Sequence, residues 1–479
     1  MANLLVSSSK YVRKFVILIS ILFPTMILGY AIVKQNYNII FLLMAFCFIA
    51  IVVRSNIIPL SIVVLIIPFT EWAVEYRYLP PQIMWIPELI SLLLFIKVLI
   101  SRFVRKQRIK LFGIWIVLGF LLISFISLIY NGSNLVSVFL FLRVLFRYYL
   151  LFLAVINLDL DEKSMKLVNK VLIFVFIVQI PLSVIKLLVY EQGERSFGLS
   201  SHAISTIIPL IALGFLLSYY FLYKKLKIYI LLITGFIAFP LIGGKRAFVF
   251  YLPVLLMFLA WFLKDNFKMM FRYVIVGIFI LTLSIYASLR LIPTLNPQRV
   301  VGGSFDPSYV INYAYNYSTH LTDSGLSTGR ISSSVVVFNN LYNGGFSRFL
   351  FGFGPGIIMK SMFKNYDRRD ISEDEFGIRY GENGLNWLGL QVGYLGCFVF
   401  FILFYLILRK SLLYYKRETD PYWHSFSLGI AGFSFIMMVA SLLYMPFFTH
   451  DAVSAFYFCL AGFLINRTNQ KQQNEIKTE

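Results

Sequence analysis

The chain has little charge, cysteine or acid. Only 14% of its 479 residues are charged, against 59% hydrophobic, and Lys and Arg outnumber Asp and Glu by 43 to 22. So few charges cannot keep the surface of an ordinary soluble protein wet. Cys47, Cys397 and Cys459 are the only cysteines, and each falls inside an apolar run, which excludes a disulfide framework and a CxxC metal site. No metal-ligand spacing stands out. No long internal repeat is visible. The glycines at 352, 354 and 356 lack the framing strand and helix of a dinucleotide fingerprint.

Long apolar runs are abundant. Runs near 15–33, 37–53, 56–70, 82–100, 111–130, 135–156, 168–189, 202–223, 226–242, 246–263, 272–291, 384–408, 424–444 and 450–466 give about fourteen segments near bilayer length. They are continuous rather than alternating, so a transmembrane β-barrel is excluded. The class is an all-α polytopic membrane protein. The run near 56–70, with Pro59 and Pro68, is the shortest signal. Lys10, Arg13 and Lys14 precede the first run as in a signal peptide. That run is long, lacks a small-residue cleavage site and is followed by others, so it reads as an uncleaved helix.

The net charge of +21 would suggest nucleic acid in a soluble protein. Here most basic residues fall in short loops on one side, and no nucleic-acid partner is expected. Arg54, Arg102, Arg105, Lys106, Arg108, Lys110, Lys163, Lys166, Lys224, Lys225, Lys227, Lys264, Lys268 and Arg272 alternate with loops carrying Glu71, Glu75, Glu191 and Glu194. Arg409, Lys410, Lys416, Arg417, Arg467 and Lys471 continue the pattern. The positive-inside rule then places both termini in the cytoplasm. Residues 1–291 read as a bundle of about eleven spans, 292–383 as an extracytoplasmic loop, 384–466 as about three more spans and 467–479 as a cytoplasmic tail. The tail from about Asn469 is expected to be disordered.

The loop at 292–383 has no membrane-length apolar run. Within it, Ser327 or Thr328 can cap a short helix beginning at Arg330, with Ile331, Val335, Phe338 and Leu341 spaced for one face. Gly352, Gly354 and Gly356 allow tight turns and close backbone approach. Tyr309, Tyr313, Tyr315 and Tyr317 read either as a sugar platform or as loop packing.

Several arginines break the charge pattern. Arg143 and Arg147 lie four residues apart on one face of the sixth run, where a guanidinium must meet a wet cavity, an anion or a buried acid such as Glu88. Arg195, Arg246 and Arg290 fall at or beside outer ends of runs. With Arg330 they suggest an anion site that the planar donor fork of arginine would suit, a diphosphate in particular. Glu382, before the run at 384–408, reads as a general base or a helix-start acid. His450-Asp451 reads as a helix start or a catalytic pair.

The ordered pieces Arg195-Ser196-Phe197-Gly198, Gly244-Lys245-Arg246-Ala247, Thr328-Gly329-Arg330, Gly352-Phe353-Gly354-Pro355-Gly356 and Glu382-Asn383 through Asn386-Trp387-Leu388 to Gly393-Tyr394-Leu395-Gly396 resemble the O-antigen polymerase and O-antigen ligase superfamily of bacterial membrane glycosyltransferases. The resemblance covers roughly residues 190–400. It implies a GT-C-like fold of many helices in the cytoplasmic membrane, with neither metal nor cofactor. It implies an undecaprenyl-diphosphate-linked glycan as substrate, transferred with inversion, with Arg195, Arg246 and Arg330 on the diphosphate. A chain-length regulator and a flippase are the partners it suggests. The family's motif usually has His where this chain has Glu382, so either Glu382 substitutes for it or the base lies elsewhere.

Overall fold

The structure is a computed structural model that describes residues 49–75, 78–79, 81–189, 204–223, 227–242, 245–263, 279, 282, 286, 296–300, 302–304, 306–320, 329–358, 376–378 and 383–478. The expected spans near 15–33 and 272–291, and most of that near 37–53, lie outside these residues.

Among the described residues the chain is helical and forms no strand. The helices are α1 (Ile57–Glu75), α2 (Trp85–Val104), α3 (Ile114–Asn131), α4 (Leu135–Asn157), α5 (Glu162–Val189), α6 (Ile204–Tyr223), α7 (Lys227–Ile242) and α8 (Arg246–Phe262). Three shorter ones follow, α9 (Pro307–Thr319), α10 (Arg330–Asn343) and α11 (Phe346–Phe351). Then come α12 (Gly384–Arg417), α13 (Pro421–Leu443) and α14 (Asp451–Thr478). Six of these, α1, α3, α4, α5, α12 and α13, are long and apolar enough to cross a membrane. The bundle carries large apolar side chains on its outside, as in the stripe Trp115, Leu122, Phe125 and Ile129 along α3. Lipid, not water, is the solvent such a stripe fits.

Helices form where the apolar runs lie, but polar groups decide where they end. Asn134 caps α4 through Val136 N–H, Asp420 caps α13 through Trp423 N–H, and Asn383 caps α12 through Asn386 N–H. α5 starts at Glu162, ahead of the expected run, because Asp161 Oδ1 accepts from Ser164 N–H at 3.2 Å. The expected disorder from Asn469 is corrected, because α14 continues to Thr478. Its polar residues are docked: Asn466 Nδ2 donates to the carbonyls of Val155 at 2.7 Å and Leu158 at 2.8 Å, and Gln470 Nε2 to that of Leu160 at 2.7 Å.

α12 lies at the centre, packed on α13, α3 and α11; α14 packs on α4 and α1, and α13 on α6 and α8. No helix break was visible in the apolar runs, but α12 is broken. Gly393 has φ 67° and ψ 178° within it, a backbone that only glycine adopts at low cost. The carbonyls freed by this break are taken by the chain after α11. Phe353 N–H donates to Leu390 O at 2.7 Å and Gly354 N–H to Gln391 O at 3.2 Å. Ser127 Oγ of α3 donates to Phe351 O at 2.5 Å, and Gly356 N–H to Gln391 Oε1 at 3.0 Å. The close approach expected of the 352–356 glycines is therefore present. A Cβ on Gly352 would stand 2.7 Å from the backbone of Val392, and one on Gly393 would collide with Leu350 O. The segment behind α10 is thus pinned to one end of the bundle by backbone hydrogen bonds that would otherwise be lost at helix depth.

Candidate functional site

The same end of the bundle gathers the later part of α1, the starts of α2, α4, α12 and α14, and the close of α13. Arg348 of α11 stands there over the Phe353 ring, and two further arginine environments differ in kind.

The first is built on α10. Its N-cap is Gly329 rather than Ser327 or Thr328, and no side chain caps it. A Cβ at 329 would collide with the backbone of Ser318 at the end of α9, so the glycine of the Thr-Gly-Arg sequence serves close approach. Arg330 begins the helix, as expected. Its Nε donates to Tyr444 O at 3.3 Å, and its guanidinium carbon stands 4.0 Å from the Tyr444 ring centroid and 5.9 Å from that of Tyr317. Among the described residues no carboxylate lies within ion-pair distance of it. It opens onto a cavity of about 380 Å³ lined by Arg330, Ile331, Ser334, Val335, Phe338, Asn383 and Leu443.

The lining has a polar patch and an apolar run. Asn383 Nδ2 and Asn386 Nδ2 both donate to Ser334 Oγ at 3.1 Å, and Ser334 Oγ donates to Arg330 O at 2.9 Å. The first turn of α10 and the N-cap of α12 thus border one cavity, each contributing the positive end of its backbone dipole beside the guanidinium. Along α10 the lining runs from Arg330 to Phe338, about 12 Å at the helical rise. The expected apolar face is turned outward: Ile331, Val335 and Phe338 are about half exposed, while Ser332, Ser333, Val337 and Leu341 are buried. A cationic head followed by an apolar groove suits an anion carrying a hydrocarbon.

The second environment holds Arg143 and Arg147. Arg143 pairs with Glu88 at 2.7 Å; Arg147 pairs with Glu88 at 3.0 Å and Asp451 at 2.6 Å, and donates to Thr449 O at 2.7 Å. Of the sequence readings, the structure has the pairing with Glu88. These guanidinia are occupied internally, because an unpaired charge at helix depth is costly. His450 does not pair with Asp451. Its Nδ1 lies 3.2 Å from Glu71 Oε1, and Glu71 Oε2 accepts from Ala452 N–H at 3.2 Å, so a glutamate of α1 caps α14. Glu71, expected in a loop, is inside α1 and buried.

The remaining candidates are not brought to the cavity by any described contact. Arg195, Arg290 and Glu382 lie outside the described residues. Arg246 opens α8, and only its backbone is described. Sequence reasoning did not single out Ser334, Asn383 or Tyr444. The pattern Asn383-x-x-Asn386 before an apolar run was a visible capping signal, whereas nothing in the sequence brings Tyr444 to Arg330. Among the described residues no cluster of His, Cys, Asp and Glu is placed to hold a metal. No protein-family model matches the chain, and no curated protein matches it.

Proposed function

We propose that the chain is a polysaccharide polymerase of the bacterial cytoplasmic membrane, extending an O-antigen, capsule or exopolysaccharide chain at the outer face. In this reading the protein has about fourteen spans, with the 292–383 segment outside and both termini in the cytoplasm. The observation that carries it is Arg330: a guanidinium with no carboxylate partner among the described residues, beside two helix starts, at the head of an apolar groove. That arrangement is what the diphosphate of a polyprenyl-linked glycan needs.

The acceptor hydroxyl attacks the anomeric carbon of the lipid-linked glycan. The new glycosidic bond forms as the bond from that carbon to the diphosphate oxygen breaks. Undecaprenyl diphosphate leaves with the electron pair, and a base takes the hydroxyl proton. Arg330, joined by Arg195 and Arg246, stabilises the charge on the departing diphosphate. Glu382, adjacent in sequence to the cavity residue Asn383, is the base of this reading. Arg143 and Arg147, with their acids, hold the helices that frame the site rather than the diphosphate.

The test is to reconstitute the purified chain with lipid-linked repeat units alone and size the product. Long chains from wild type, and their loss with Arg330→Ala at equal protein yield, support the reading. Transfer of finished glycan to a different lipid or a protein, with no lengthening, would make the chain a ligase. A second reading, a transporter of lipid-linked glycan, draws on the break at Gly393, since broken helices line transporter sites. Against it, the carbonyls freed at this break already accept hydrogen bonds from Phe353 and Gly354.

A further inference from the structure

We infer that the tyrosines on one face of α9 form a glycan-binding subsite that leads into the Arg330 cavity and holds the sugars nearest the diphosphate. This rests on the reading of Arg330 as the diphosphate site. Tyr309, Tyr313 and Tyr317 are spaced at i, i+4 and i+8. Successive ring centroids are 6.1 Å apart, with interplanar angles of 22° and 16°. The row covers about 12 Å of helix. Its last ring, Tyr317, lies 5.9 Å from the Arg330 guanidinium carbon, on whose other contact stands Tyr444. Aromatic surface therefore continues from α9 to the head of the cavity.

The two faces of α9 are distinct. Ile311 and Tyr315, on the opposite side, are 68% and 66% exposed, whereas Tyr309 and Tyr313 are half-buried. α9 has no fully buried residue and packs on α10, and its tyrosine row meets the head of the cavity through Tyr317 beside Arg330. The C–H face of a pyranose carries partial positive charge and packs on the negative face of an aromatic ring. Nearly parallel rings at regular spacing suit a chain of sugars better than a single one.

The experiment uses the full chain in liposomes with lipid-linked repeat units isolated from the cells that make them. Tyr309→Ala, Tyr313→Ala and Tyr317→Ala combined should raise KM about tenfold, or 1.4 kcal/mol, with kcat changed little, and should shorten the product. The matching triple change to Phe should stay near wild type, because the rings and not the hydroxyls carry most of the stacking. A second readout is saturation-transfer NMR with the oligosaccharide released from its lipid by mild acid. Its sugar signals should be kept by the Phe variant and lost by the Ala variant. Unchanged KM and unchanged sugar signals in the Ala variant would overturn the subsite, even if its partition into liposomes fell, which would make α9 a membrane anchor. A wild-type chain that makes no polymer would overturn the diphosphate reading instead.

Discussion

Arg147 and Arg330 stand at the same end of the bundle, yet their surroundings differ. Arg147 is buried between two carboxylates and a backbone carbonyl. Arg330 has a carbonyl and two aromatic rings, and the cavity beside it. The comparison separates two uses of one costly residue. A guanidinium matched by acids from other helices fastens those helices together, and one matched among the described residues only by a carbonyl and aromatic rings is able to take an anion.

Removing the fastener should have the largest effect. Arg147→Ala leaves Asp451 buried without its guanidinium, and should cost about 3–5 kcal/mol, read as loss of folded protein in detergent and earlier thermal unfolding. Arg147→Met combined with Asp451→Leu should lose less than either single change to Ala, because no lone charge remains. Arg330→Ala should instead leave the unfolding temperature close to wild type and lower glycan transfer about 10²–10³-fold. Arg330→Lys should recover part of that, keeping the charge while losing the planar fork. An unfolding temperature lowered by Arg330→Ala as much as by Arg147→Ala would dissolve the distinction.

Two smaller effects sharpen it. Gly393→Ala places a Cβ at φ 67° against Leu350 O, and should cost about 2 kcal/mol or more through strain and collision. Such a loss would be measured as thermal destabilisation with part of the transfer activity retained. At the opposite end of the bundle, Glu418 lies between α12 and α13. Burial pushes its carboxyl upward, but the Tyr414 hydroxyl, Asp420 N–H and Lys471 outweigh burial and hold it below the usual glutamate range. With the folded value depressed, its contribution is present above the unfolded value of about 4.3. It is lost as pH falls through the folded value. Glu418→Gln should therefore reduce the acid sensitivity of unfolding and leave transfer at neutral pH unchanged.

The helices could be read from the sequence because continuous apolar runs in a bilayer have one low-cost backbone arrangement. The start of α10 at Arg330 was also readable. Its orientation was not. The spacing of Ile331, Val335, Phe338 and Leu341 gave one face without saying what it meets; the structure buries Leu341 and sets the other three beside the cavity, while Ser332 and Ser333 face the bundle. In water an apolar face seeks the core, but in lipid the outside is apolar too, and small residues mark the packed side. Asn469 and its neighbours likewise looked disordered until Asn466, Gln470 and Lys471 found partners on other segments.

Sequence alone determined the helical membrane class, the approximate places of the described helices in the apolar runs, Glu88 as an acid able to meet Arg143 and Arg147, and Arg330 at a helix start. Those properties depend on nearest neighbours, local spacing and the solvent a run of residues requires. Only the tertiary structure decided which arginines are occupied and which one faces a cavity. It also decided that Glu71 caps α14 and that the 352–356 turn fills the break at Gly393. Such pairings join residues from 35 to 381 positions apart, and they depend on which helix ends the packing brings together.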